Sequence, residues 1–73
     1  MTQETNKTEQ LGFLLMWHGN WREELHKENT DLEKLCFYAA MAEEAAREAG
    51  CYEVLSPALK DCAETYRKQF RAA

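Results

Sequence analysis

The stretch LGFLLMWHGNWREEL, residues 11–25, gathers large apolar side chains more densely than any other part of the chain. Phe13, Trp17 and Trp21 recur every four residues with Leu14 and Leu25 beside them, the spacing that puts side chains on one face of a helix. A large aromatic buries roughly 150–250 Å². Three of them are therefore expected to supply much of the apolar stabilisation open to a domain of 73 residues, which hides only about 60% of its unfolded surface. The fold has to form around this segment. His18-Gly19-Asn20 interrupts it, because Gly19 suits the left-handed position after a helix and Asn20 with Glu23 makes an Asn-x-x-Glu capping box. A break or kink is expected there, with a second short helix over 21–28.

On the N-terminal side, residues 1–7 are polar and lack apolar periodicity, so a mobile arm is expected, with the helical domain beginning at about Thr8. On the C-terminal side, Thr30 and Glu33 fit a Thr-x-x-Glu capping box. They predict a long helix over 31–49 that stops at Gly50. Leu32, Leu35, Ala39, Ala42, Ala46 and Ala49 form a heptad seam on it, and the alanines let another helix approach closely. Residues 51–55 are a connection. Ser56-Pro57 then supplies an N-cap and a first-turn proline for a last helix reaching about Phe70, with Leu59, Cys62, Tyr66 and Phe70 on one face. No run alternates with the period of two that calls for a strand. The expected fold is all-α, a single small bundle of three or four short helices over 8–73. Trp17, Trp21, Leu32, Leu35, Cys62 and Tyr66 are expected in its core.

The net charge is −4, unevenly spread: residues 1–56 carry −6 and residues 57–73 carry +2. Duplex binding needs a concentrated basic face, so nucleic acid is an unfavoured partner and a basic protein surface suits the acidic body. The alternative is a nucleic-acid contact through the basic last helix. A helix-turn-helix is not expected. The 50–56 joint is too long, and Pro57, Ala58 and Leu59 stand where base-reading polar side chains belong. Cys36, Cys51 and Cys62 are odd in number, and residues 1–10 have neither the basic start nor the apolar run of an export signal. Free thiols in a reducing cytoplasm follow as the expectation. The apolar runs FLLMW at 13–17 and LCFYAAMA at 35–42 are far short of the roughly 20 residues that span a bilayer.

His18, His26, Cys36, Cys51 and Cys62 are donors of the right types for zinc, yet their spacings match none of the usual close ligand pairs, so neither a metal nor another cofactor is expected. A Cys–His nucleophilic pair lacks a local signature and a pocket, and no catalytic residue is assigned. Glu43–Arg47 and Glu64–Lys68 have the favourable i,i+4 order of solvated helix pairs.

Residues 35–42 are apolar around the whole helix circumference, so part of the run must face something besides the seam. A partner-binding surface is therefore expected at the exposed remainder of Phe37, Tyr38 and Met41. Arg67, Lys68 and Arg71 are expected to project from the last helix toward acidic groups of a protein partner. A second copy of the chain is an alternative occupant.

Taken over its whole length, the chain resembles the small phage-encoded inhibitors of bacterial RNA polymerase. The resemblance lies in a tiny acidic helical domain with a polar N-terminal arm, FLLMW at 13–17, EEAAREAG at 43–50 and the basic YRKQFR at 66–71. It implies a non-enzymatic regulator without a cofactor, acting in the bacterial host cytoplasm. Such a protein would bind a polymerase subunit or the sigma factor and inhibit or redirect transcription. It implies no role for any single residue.

Overall fold

The computed structural model describes residues 2–70, with side chains from Lys7 onward. Three helices carry the fold: α1 (Thr2–Leu25), α2 (Leu32–Ala49) and α3 (Pro57–Thr65). A single 3₁₀ turn (Tyr52–Val54) precedes α3, and a wider π-helical turn (Tyr66–Phe70) continues it. No strand occurs among the described residues. The all-α architecture is as the periodicity predicts.

α2 is the central element: α1 and α3 both pack against it and make no close backbone approach to one another. This arrangement accounts for the apolar circumference of 35–42. Leu35, Cys36, Ala39, Ala40 and Ala42 are all buried because α2 is covered on two sides. The heptad seam is buried from Leu35 through Ala49, and its alanines give the close approach that small side chains permit. Leu14 and Trp21 of α1, Leu55 of the connection, and Leu59 and Ala63 of α3 complete the core. Trp17, Cys62 and Tyr66 pack on it half-buried. Leu32, Phe13 and Leu25 depart from expectation: they are 55%, 47% and 45% exposed, so of the three aromatics of 13–21 only Trp17 and Trp21 reach the core. Leu32 is the first residue of α2, where the helix is covered less than along its middle.

The expected break at 18–20 does not form, and no separate helix covers 21–28; α1 is continuous from Thr2 to Leu25. Leu14, Trp17, Trp21 and Glu24, the positions α1 turns inward, are spaced three, four and three apart, which requires one uninterrupted helical register. A helical glycine costs only about 1 kcal/mol, less than the roughly 1.5–3 kcal/mol gained by burying one large apolar side chain, so packing overrides the local stop signal. The backbone of residues 2–7, expected as an arm, is likewise part of α1. Met1 lies outside the described residues.

The start of α2 is shifted by one residue from the expected box. Asp31, not Thr30, is the N-cap, its carboxylate accepting the Lys34 amide at 3.2 Å. Thr30 Oγ1 instead binds back to the carbonyls of Glu24 (3.2 Å) and Lys27 (3.0 Å). Glu24 is 3% exposed. Its Oε2 accepts the Asp31 amide at 2.9 Å, and its Oε1 lies 3.1 Å from Lys27 Nζ. These contacts, the Asp31 amide first, hold the Glu24 carboxyl below its ordinary range and raise the Lys27 ammonium. The end of α2 follows expectation. Gly50 takes the left-handed conformation (φ 74°), and the amides of Gly50 and Cys51 bond to Arg47 and Ala46 in a Schellman arrangement. Ser56 caps α3 through the Leu59 amide at 3.3 Å, with Pro57 next, also as the sequence predicts.

Candidate functional site

Phe37 and Tyr38 are consecutive on α2 and therefore point about 100° apart. Trp17 bridges them, edge-on to Phe37 (5.7 Å between centroids, 84°) and stacked with Tyr38 (5.9 Å, 29°). Tyr66 meets Phe37 edge-on at 5.6 Å, and Phe70 stacks on Tyr66 at 6.3 Å. This file of rings runs from α1 across α2 to the C-terminal turn. Each well-placed aromatic pair contributes about 0.5–1.5 kcal/mol beyond area burial, so the cluster fastens both α1 and the C-terminal turn to α2.

The rings are not fully covered. Phe37, Tyr38 and Tyr66 line an open cleft of about 380 Å³ whose rim carries Asp31, Glu33 and Lys34. Met41 lies elsewhere, in a second groove of about 250 Å³ with Gln10, Phe13, Trp17, Glu44 and Glu48. Arg67 lines a third recess with Ala40, Glu43, Glu44 and Arg47. The expected contact residues are thus distributed among separate recesses.

The expected basic end is also partly engaged within the chain. Arg67 Nη1 donates to Oε1 of the buried Glu43, and Arg47 Nη2 stands 4.0 Å from Oε2 of the same carboxylate. Glu43 Oε2 has no hydrogen-bond partner among the described residues. Lys68 Nζ lies 3.8 Å from Glu64, so both expected i,i+4 pairs are present. Arg71 falls outside the described residues.

Several surface features escape pattern reading. Tyr52, in the 3₁₀ turn, receives the Arg47 guanidinium at 4.2 Å and the Lys60 ammonium at 4.6 Å from its ring centre; their separations of five and eight residues gave no local cue. The acidic rim of the aromatic cleft was hidden because Asp31 and Glu33 read as capping residues. Phe13, Leu15 and Met16 lie exposed on α1, and here a signal did exist: FLLMW, like 35–42, covers a full helical turn with apolar side chains.

Among the described residues no three His, Cys, Asp or Glu side chains converge as metal ligands, and no helix is long and apolar enough to cross a membrane. Burial raises the Cys36 thiol above its ordinary range, with Cys62 adding to the effect. Chemically, the cleft offers aromatic surface beside two carboxylates and the single cation of Lys34, a net negative environment that favours a cationic side chain. No protein-family model matches the chain, and neither a curated protein nor a solved structure is significantly similar to it.

Proposed function

We propose that this chain is a small non-enzymatic regulator that works by binding a protein, and that its target is bacterial RNA polymerase, through a core subunit or the sigma factor. The observation that carries the protein-binding part is the open cleft of Phe37, Tyr38 and Tyr66, whose rim of Asp31, Glu33 and Lys34 keeps one net negative charge. Aromatic faces backed by carboxylates suit a Lys or Arg side chain on a partner's basic surface, and the acidic balance of residues 1–56 favours the same sign of partner. The polymerase as target rests on the resemblance of the whole chain. The pairing of Arg67 with Glu43 and of Lys68 with Glu64 weakens the nucleic-acid alternative, since these cations already have carboxylate neighbours.

The test is affinity capture from a bacterial lysate followed by binding to purified polymerase, with and without sigma factor. A polymerase subunit or sigma factor should be retained, and transcription from a promoter should fall or shift. Glu33→Lys, at the exposed rim, should weaken capture at least several-fold with an unchanged circular dichroism spectrum. Absence of polymerase binding sinks the target. A steep decline of DNA binding with salt, at a slope of several phosphate contacts, would favour the nucleic-acid alternative.

A further inference from the structure

α3 runs back along α2: the 50–56 connection joins their neighbouring ends, and Phe37 near the start of α2 meets Tyr66, just past α3, edge-on at 5.6 Å. The face α3 turns inward is the line Leu59, Cys62, Ala63 and Tyr66, spaced three, one and three. α2 presents Cys36, Ala39, Ala40 and Glu43 at the same spacing, all buried, and Glu43 is the carboxylate that Arg67 reaches from the C-terminal turn. Two cysteines therefore stand on facing lines of an antiparallel helix pair. Their sulfurs meet there, the Cys36 and Cys62 thiols sharing a hydrogen bond. The two differ in access: Cys36 is 1% exposed, whereas Cys62 lies half-buried at the edge of the core. That asymmetry suits a thiol that meets an external reagent and a second, enclosed thiol that resolves the product.

We propose that Cys36 and Cys62 form a reversible redox pair, converted by a small disulfide of the glutathione type into an internal disulfide that fixes α3 to α2. The chemistry balances in two exchanges. Cys62, as thiolate, attacks one sulfur of the oxidant RSSR; the S–S bond breaks, RS⁻ leaves and takes up the proton that Cys62 released, and Cys62 carries the SR group. Cys36, as thiolate, then attacks the Cys62 sulfur and expels the second RS⁻, which takes up the proton from Cys36. The two cysteines lose two electrons and two protons, and one RSSR becomes two RSH. Cys51 cannot replace Cys62 as the partner of Cys36. It follows Gly50 at the far end of α2, about 20 Å from Cys36 at 1.5 Å per residue.

The consequence falls on the aromatic cleft. Cys36 immediately precedes Phe37, and Cys62 lies about one helical turn before Tyr66, so the bond ties together the two elements whose rings meet in the cleft. It also closes the 37–61 loop, which restricts the unfolded chain. The pair is independent of the proposed polymerase target, and its test needs no partner.

The folded full chain is treated with oxidised glutathione without denaturant, and the products are read by intact mass and non-reducing peptide mapping. A loss of two hydrogens with a Cys36–Cys62 link, reversed by dithiothreitol, is expected. The linked form should melt about 10 °C higher, and the amides of α3 should exchange more slowly. Cys36→Ala should stop at a glutathione adduct on Cys62, and Cys62→Ala should leave Cys36 unmodified, with helix content checked by circular dichroism. Cys51→Ala should form the link as the unsubstituted chain does, which keeps the result readable if either of the other variants unfolds. A persistent Cys62 adduct in the unsubstituted chain, a link through Cys51, or a Cys36–Cys62 link that forms only in urea would overturn the pair. A link that formed but lowered the melting temperature would overturn its fastening of α3 to α2.

Discussion

Glu43 is a carboxylate in the middle of the alanine-rich helix, and its charge is tolerated there because Arg67 reaches it from the C-terminal turn. Removing the arginine leaves a buried carboxylate without its hydrogen-bond donor, facing only the exposed Arg47 guanidinium at 4.0 Å. Arg67→Ala should therefore destabilise the fold by about 1–3 kcal/mol in urea denaturation, more than an ordinary surface ion pair would. Glu43→Gln combined with Arg67→Ala should recover part of that loss, since the uncompensated charge is then gone. Glu24 makes a second prediction at this scale. Its folded-state carboxyl titrates below the ordinary range, chiefly because it accepts the Asp31 amide. The stabilisation it supplies is therefore complete above the unfolded-state value and is lost as pH falls through the lower folded-state value. Glu24→Gln should lower the melting temperature at neutral pH, and the gap from the unsubstituted chain should close as the pH is taken below about 4. A gap that stayed constant with pH would mean that the ionised form contributes nothing.

At the scale of elements, the boundaries written in local chemistry were legible. Gly50 ends α2 and Ser56-Pro57 starts α3, because a left-handed cap and an N-cap act within a few residues of themselves. Asp31 displaced Thr30 as the cap of α2 because Glu24, seven residues earlier, receives the Asp31 amide and leaves Thr30 to bond backward. The continuity of α1 was illegible for a related reason: Gly19-Asn20 carries a true local stop signal, and what overrides it is contact with α2, which no window along the chain contains. The aromatic cleft was half legible. Phe37 and Tyr38 were singled out by the surplus of apolar residues, whereas Tyr66 joins them across 28 positions and Met41, only three away, turns into another groove. An unbroken α1 also has a measurable consequence. Gly19→Ala, in open space on a helix, should raise the stability of the chain by about 0.5–1 kcal/mol in thermal melting. A helix that stopped at Gly19 in a left-handed turn would be destabilised by the same change.

At the scale of the whole molecule, α2 lies between two helices that have no close backbone contact with each other, within extents of 42 × 26 × 19 Å. Truncation of large apolar side chains should be felt unequally. Leu59, wholly enclosed, should cost about 2–5 kcal/mol as Leu59→Ala, whereas Leu32→Ala at the exposed start of α2 should stay within about 0.5 kcal/mol.

The same layering governs how the native state opens. Either outer helix is able to lift away while the other still holds α2, so amide hydrogens of α1 and of α3 should exchange with solvent through separate partial openings, each requiring less free energy than global unfolding. The amides in the middle of α2 lack that route: with one flank gone, the other still shields the ladder of hydrogen bonds. Their protection should equal the full unfolding free energy, making α2 the last segment to take up deuterium and the first to lose that distinction when Arg67 or Leu59 is replaced.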